Sequence, residues 1–255
     1  MNAIAQPGVG LTVRGLRKSF GDREVLHGLD FEVRAGERFV IMGPSGSGKT
    51  VLLKHLIGLE KPDAGEILIG DEPVGASGVM DRYRMAMVFQ SGALLNSLTV
   101  GENVGLYLTE HRLKPAREIE QIVADKLALV GLEGLQDKMP GELSGGMRKR
   151  AAVARALVIE PQLIFYDEPT SELDPLIAVT IGEEILRLNQ RTRVTSVVVT
   201  HDRQLGFGIA HRMALIFDGE IVALGTPDDI QASDHPEVRR FLSANFHFDK
   251  EKVSP

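Results

Sequence analysis

The fold class of this chain follows from eight residues, "GPSGSGKT", Gly43 to Thr50. It matches G-x-x-x-x-G-K-[ST] and directly follows "RFVIM" (Arg38 to Met42), an apolar run of strand length. The text after it predicts a helix from about Lys49 to Leu59. A glycine-rich turn between strand and helix leaves backbone N–H groups free to close around the phosphates of a nucleotide. Gly43, Pro44, Ser45, Gly46, Ser47 and Gly48 supply that cradle, and Val51 belongs to the first turn behind it. Lys49 places a point charge at the β- and γ-phosphates, and Thr50 offers a hydroxyl to Mg²⁺. A glycine loop arising by chance would lack the strand before it and the helix after it.

Working outward, three further apolar runs end on residues able to act at such a site. "LIFYDEPTSELD", Leu163 to Asp174, delivers two adjacent carboxylates. Asp167 at the strand end suits Mg²⁺, and Glu168 suits the holding and polarising of an attacking water. Two such carboxylates side by side are unfavourable without a cation. "SVVVT" (Ser196 to Thr200) ends at His201, where an imidazole can donate to a γ-phosphate. The other histidines, His27, His55, His111, His211, His235 and His247, lack a strand-end position and are read as structural or surface residues. "MAMVF" (Met85 to Phe89) ends at Gln90, whose amide can touch Mg²⁺, touch the attacking water, or simply cap the strand. Phe20 in "RKSFG" stands before a turn, placed either to stack on adenine or to pack in the core.

The rest of the chain supports an α/β core with an insertion. Residues 11 to 35 read as extended segments turning at Gly21-Asp22, and "AGEILIGDEPV" (Ala64 to Val74) as a hairpin turning at Gly70-Asp71. From about Ser91 to Glu160 the pattern is mostly helical. Ile119, Ile122, Val123, Leu127 and Val130 fall on one helical face. Strands return at Leu163 to Asp167, Ser196 to Thr200, Met213 to Phe217 and Glu220 to Leu224. Asp174 followed by Pro175 is a helix N-cap with proline at the first helical position. Strands alternating with helices imply a largely parallel sheet with ligands at its strand C-termini.

Composition sets outer bounds. The 255 residues are 43% hydrophobic with a net charge of −6, a balance that argues against nucleic acid as partner. There is no cysteine, hence no disulfide framework or thiolate chemistry. The start, "MNAIAQPGVG", shows no secretory pattern, no apolar stretch reaches the ~20 residues of a bilayer span, and "FHFDKEKVSP" is expected to be a loose tail.

One stretch is surplus to a single nucleotide site. "GELSGGMRKR", Gly141 to Arg150, opens a helix with Ser144, Gly145 and Gly146, a second bare N-terminus suited to an anion. The basic Arg148-Lys149-Arg150 that follows is expected to be a solvated helix face.

The phosphate loop, Gln90, "LSGGM", "YDEPTSELD" and His201, in this order, make the sequence resemble the ATP-binding subunits of ABC transporters over roughly residues 11 to 230. That resemblance implies a P-loop NTPase with a parallel core sheet, an N-terminal antiparallel β subdomain and an inserted helical subdomain. It implies one domain over residues 1–255. Within it, about 11–90 and 160–230 form the RecA-like core with its β subdomain, about 91–159 the helical subdomain, and about 231–255 a C-terminal helix and tail. Carried over by position, Phe20 resembles the adenine-stacking aromatic, Gly43 to Thr50 the Walker A loop and Gln90 the Q-loop glutamine. Asp167 and Glu168 resemble the Walker B pair, Ser171 to Asp174 the D-loop, and His201 the switch histidine. In that family Ser144, Gly145 and Gly146 complete the ATP site of a second copy, so two Mg-ATP are sandwiched in a head-to-tail dimer.

A finer likeness lies in "FQSGALLNSLTVGENV" (Phe89 to Val104), "LSGGM", "DPLIAVTIGEEI" and "HPEVRRFL", which resemble the Mla/Mce-type phospholipid transport ATPases. It implies an ATP-hydrolysing motor on the cytoplasmic face of an inner membrane, with integral membrane permease subunits as partners. A small STAS-domain protein and an MCE-domain protein are further implied partners. The alternatives are a motor for another small solute, or a non-transport ABC ATPase acting on DNA or ribosomes. Met147 in place of the family's usual glutamine, and Glu172 in place of alanine, are departures at the expected dimer interface.

Overall fold

The computed structural model describes residues 8–243. Strands β1 (Leu11–Phe20) and β2 (Arg23–Val33) form a long antiparallel hairpin, followed by β3 (Arg38–Met42) and helix α1 (Lys49–Leu56). β4 (Ala64–Ile69) and β5 (Glu72–Pro73) turn at Gly70-Asp71, then come a short α2 (Val79–Arg82) and β6 (Met85–Val88). Helices α3 (Val100–Glu110), α4 (Ala116–Leu129) and α5 (Gly145–Leu157) fill the next stretch. β7 (Leu163–Asp167), α6 (Pro175–Thr192), β8 (Thr195–Thr200), α7 (Arg203–Ile209), β9 (Arg212–Phe217) and β10 (Glu220–Gly225) follow. Two short helices, α8 (Pro227–Gln231) and α9 (Pro236–Ser243), end the described chain. The helix after the phosphate loop therefore stops at Leu56, short of the Leu59 that the sequence suggested; Ile57 and Gly58 close it with N–H bonds to Leu53 and His55 carbonyls. The tail after Phe246 lies outside the described residues, as do Met1 to Pro7.

Two sheets result. The smaller is antiparallel, in the order β2-β1-β4-β5, and the larger runs β10-β9-β3-β8-β7-β6. In the larger sheet β9, β3, β8, β7 and β6 are parallel, and only β10 runs against them. β3, β7 and β8 carry almost no alternation of polar residues, as expected of strands covered on both faces. One face packs against the small sheet through α1, whose Leu52, Leu53 and Leu56 are buried between the two sheets. Each such leucine contributes roughly 1.5–3 kcal/mol of burial. Stacked Phe31 and Phe39 rings, 5.3 Å apart, join the sheets directly. The other face carries α6, α7 and the helical stretch, with Val123, Leu127 and Val130 buried as their spacing predicted.

α5 and α6 approach closely because Gly146 has no side chain: a Cβ there would lie 2.4 Å from Ile177 Cγ2. Asp174 caps α6 by accepting from Leu176 N (3.0 Å) and Ile177 N (3.1 Å), with Pro175 at the first helical position as read from the sequence. α3 begins in a capping box in which Thr99 and Glu102 each accept from the other's backbone N–H.

The segment after β6 has little regular structure, and one buried side chain shapes it. Asn103, fully buried in α3, donates to the carbonyls of Leu95 (3.0 Å), Leu98 (3.1 Å) and Thr99 (2.9 Å). Its Oδ1 accepts from Leu95 N at 2.7 Å. Arg155 of α5 anchors the same segment further back, donating to Ala93 O (2.6 Å) and Gly92 O (3.0 Å). Asn103→Ala removes four hydrogen bonds at once; Leu95 O and Thr99 O keep the N–H groups of Leu98 and Asn103, while Leu95 N and Leu98 O lose the amide partner. The substitution is expected to lower unfolding free energy in urea by about 2–4 kcal/mol, and a loss within error of zero contradicts this role.

Candidate functional site

Because β3 pairs in parallel with β8, β8 with β7 and β7 with β6, their C-terminal ends share one edge of the sheet. That edge gathers the phosphate loop, His201, the Asp167-Glu168 pair and the segment carrying Gln90, in that spatial order. The reading from sequence placed these residues at strand ends, and the topology brings the ends together.

At β3 the chain turns out of the sheet at Gly43, whose φ of 155° and position 2.1 Å (as a built Cβ) from Ile216 O leave no room for a side chain. Pro44, Ser45 and Gly46 are exposed, while Ser47, Gly48 and Lys49 are buried. Thr50 is exposed and Val51 half-buried in the first turn of α1. The Lys49 ammonium is folded onto its own loop, donating to Gly43 O and Pro44 O at 2.8 Å each. Burial lowers its pKa from the ordinary lysine value, while the charges of Glu168 and Asp167 act to raise it. Ser47 Oγ is buried and without a hydrogen-bond partner among the described residues.

At β7 the two acids diverge. Asp167 continues the strand half-buried, and burial pushes its carboxyl above the ordinary aspartate range; Glu168 adds to that and Lys49 opposes it. Glu168 adopts a left-handed backbone, φ 45°, unusual for a residue with a side chain. That turn carries it off the strand toward β8: its N–H donates to Val199 O at 2.8 Å. One carboxylate oxygen accepts from Thr200 Oγ1 (3.1 Å) and His201 N (3.2 Å), and the other lies 2.9 Å from His201 Nδ1. For that last contact to be a hydrogen bond, Nδ1 carries the proton. In that geometry the exposed Nε2 donates to an anion only when the imidazole is protonated.

Gln90 stands two residues beyond the end of β6 and is exposed, next to an exposed Phe89. Phe20, at the end of β1 on the smaller sheet, is 49% exposed, with Lys18 Nζ 5.3 Å from its ring centre. It is therefore not a core aromatic. His55 is fully buried, with Nδ1 2.7 Å from Val51 O.

Ser144 caps α5, accepting from Met147 N at 3.2 Å, and is itself exposed. Beside Gly145 and Gly146 lie Leu173 and Ile177 of the chain entering α6, and not the phosphate loop. The expectation of a solvated Arg148-Lys149-Arg150 face is wrong. Lys149 is 7% exposed and hydrogen-bonds Ser171, Arg148 donates to Leu143 O (2.7 Å), and Arg150 to Val130 O (3.0 Å). All three satisfy carbonyls of irregular backbone packed around α5, a demand that helical periodicity does not reveal.

Several residues at this site carried no sequence signal of their own. Thr200 holds Glu168, Lys149 reaches the turn after it, and Thr170 donates to Asp202 at 3.0 Å. Thr200 alone had a clue, being the last residue of the strand that ends at His201.

The nucleotide-shaped strand edge, with its phosphate loop and acid pair beneath an inserted helical stretch, defines a P-loop ATPase of the cassette type. The model of the ABC transporter family matches residues 26–171, and the chain belongs to that family and is an ATPase of it. It is 41% identical to the probable ribonucleotide transport ATP-binding protein mkl of Mycobacterium leprae, over 92% of this chain and 69% of that protein. It is 39% identical to protein trigalactosyldiacylglycerol 3, chloroplastic, of Arabidopsis thaliana, over 91% and 73%. Among solved structures, cbiO1 of Clostridium perfringens, part of the ABC transporter complex cbiONQ, superimposes with a TM-score of 0.81 at 28% identity, covering 91% of this chain and 94% of that one. The dimeric cassette MJ0796 bound to ADP and Pi matches with a TM-score of 0.76 at 30% identity, covering 85% and 98%.

Replacing Glu168 by Gln removes one of the causes that raise Asp167. The Asp167 carboxyl is then expected to titrate at lower pH than in the unaltered chain, read from its ¹³C shift. An unchanged or higher titration point contradicts the electrostatic pairing.

Proposed function

We propose that the chain is the ATP-hydrolysing motor of a membrane transporter that moves phospholipid, acting as a head-to-tail pair that encloses two Mg-ATP. The observation that carries the motor is the shared strand edge, where Lys49, the Asp167-Glu168 pair and His201 converge. In this reading residues 11–90 and 160–230 are the core with its β subdomain, 91–159 the helical subdomain, and 231–255 a C-terminal extension.

Each site residue has a task that its surroundings support. The loop Gly43–Gly48 and Val51 cradle the phosphates, with Lys49 exchanging its two loop carbonyls for phosphate oxygens. Exposed Phe20 stacks on the adenine. Glu168, already oriented by Thr200 and His201, takes the proton of the attacking water. Gln90 aligns that water, and His201 faces the γ-phosphate. Ser144, Gly145 and Gly146 meet the nucleotide of the second copy with the positive end of α5. The donor set of Thr50, Asp167 and Gln90 is all oxygen and suits Mg²⁺, and Asp167 sits beside a like charge that a cation would relieve. Bound there, Mg²⁺ neutralises charge on the β- and γ-phosphate oxygens.

The lipid reading rests on the stretch from Phe89 to Val104 and on Met147. Phe89 and Leu95 leave apolar surface exposed on either side of the Gln90 segment, suited to permease subunits at the cytoplasmic face of an inner membrane. Among the described residues no helix is long and apolar enough to cross a membrane. A STAS-domain protein and an MCE-domain protein complete the proposed assembly. The Arabidopsis relative bears the name of a galactolipid, whereas others are named for ribonucleotide, Fe(3+) and sulfate/thiosulfate. Another solute is therefore the rival outcome.

In Glu168→Gln, steady-state hydrolysis is expected to fall by a factor of about 10² or more while ATP drives a stable dimer on size exclusion. Turnover within a few fold of the unaltered chain removes Glu168 from the role of base. Gentle purification of the native complex followed by mass spectrometry should recover membrane subunits with phospholipid. A solute permease and no lipid contradicts the substrate reading.

A further inference from the structure

Lys149 lies in the second turn of α5, five residues after the capping Ser144 and about 7 Å further along the axis. It is 7% exposed, an unusual depth for a lysine. Its ammonium donates to Ser171 O at 2.5 Å and Ser171 Oγ at 3.2 Å, and reaches to within 3.5 Å of Glu168 O. Ser171 closes the arrangement from the other side, donating to Glu168 O from its hydroxyl (2.9 Å) and its N–H (3.1 Å). Every hydrogen bond that the structure gives this ammonium therefore ends on the turn that begins at Glu168.

The neighbouring basic residues do something else. Arg148 binds Leu143 O and Arg150 binds Val130 O and Gly131 O, so both tie α5 to irregular backbone of the helical stretch. Lys149 alone of the three crosses from the helix to the turn holding the acid pair. Burial lowers its pKa from the ordinary lysine value, and the charges of Glu172 and Glu168 act against that lowering. Within two turns of helix, then, a single chain joins the end that meets another copy's nucleotide to the carboxylate that serves its own.

We propose that Lys149 is a positioning residue that locks the Glu168 turn to the Ser144–Gly146 helix end, so that closure at one nucleotide site aligns the acid at the other. This rests on the head-to-tail reading given above. A purely structural lysine would weaken folding and change kcat and KM without pattern. A positioning lysine spares ATP binding and loses turnover.

The test uses the full chain with Mg-ATP and compares Lys149→Met, which keeps length without a donor, with Lys149→Arg, which keeps the cation. Lys149→Met is expected to lower kcat about 10-fold or more with the ATP KM within about 2-fold, and Lys149→Arg to recover to within about 3-fold of the unaltered chain. If Lys149→Met lowers the melting temperature by more than about 5 °C, Lys149→Leu, likewise without a donor, replaces it with the same readouts. Unchanged kcat in these neutral variants, or equal losses in Lys149→Met and Lys149→Arg, overturns the proposal. The Glu168→Gln chain serves as the separate control. Failure of that chain to dimerise with ATP overturns the head-to-tail reading, whereas ATP-driven dimers together with normal turnover in Lys149→Met overturn this inference alone.

Discussion

Two carboxylates side by side at the end of a buried strand repel each other, and much of this fold is arranged around that repulsion. Asp167 and Glu168 are parted by the left-handed backbone at Glu168, which sends the two side chains to different neighbours. Glu168 gains the donors of Thr200 and His201 from the next strand. Asp167 stays half-buried with its ionisation disfavoured, facing the charge of Lys49. The sheet order puts β8 between β3 and β7, so lysine loop and acids sit two strand spacings apart, roughly 10 Å. That gap is the scale of a polyphosphate, and a divalent cation held beside Asp167 would relieve the repulsion between the two carboxylates.

The helical stretch is not a passive insertion. α5 carries three elements at once: a serine-capped N-terminus at Ser144–Gly146, a buried cation at Lys149, and Arg155 on the segment after Gln90. Gly146 lets this helix lie directly on the start of α6, and Ile177 fills the space that any side chain there would need. Under the proposed dimer, the helix that touches a second copy's nucleotide is thus bonded to both the acid turn and the docking segment of its own copy. Met147 is only half-buried beside that end, and Glu172 is exposed with a left-handed backbone, so both departures from the family pattern lie where a partner would meet them.

How much of this was legible beforehand follows from the range of each interaction. β3, β7 and β8 were readable because each is a continuous apolar run closed by Gly43, Asp167-Glu168 or His201, and the structure moves their ends by no more than a residue. The capping of α6 by Asp174 and Pro175 was readable for the same reason, being settled within four residues. Asn103, Lys149 and Arg155 were not. Their partners are backbone carbonyls as far as 63 positions away, and a carbonyl has no sequence signature. The misreading of Arg148-Lys149-Arg150 as solvated has this origin: a charge run on a helix predicts exposure unless irregular backbone packs over it. Phe20 and Gln90 could be named as candidates but not ranked, because exposure, which separates them from core and capping residues, is a tertiary property.

Under the proposed dimer, the N-terminal end of α5 serves a phosphate loop on another copy. The chain contains no cysteine, so single thiols can be introduced without background. Ser45→Cys on one copy and Ser144→Cys on another place one thiol on each half of the proposed site, both at exposed positions. The mixture is treated with a short bifunctional thiol crosslinker in the presence and absence of Mg-ATP. A crosslinked Ser45→Cys/Ser144→Cys dimer is expected to form with nucleotide and to disappear without it. No such dimer at saturating Mg-ATP, or equal yields with and without nucleotide, would contradict the head-to-tail reading.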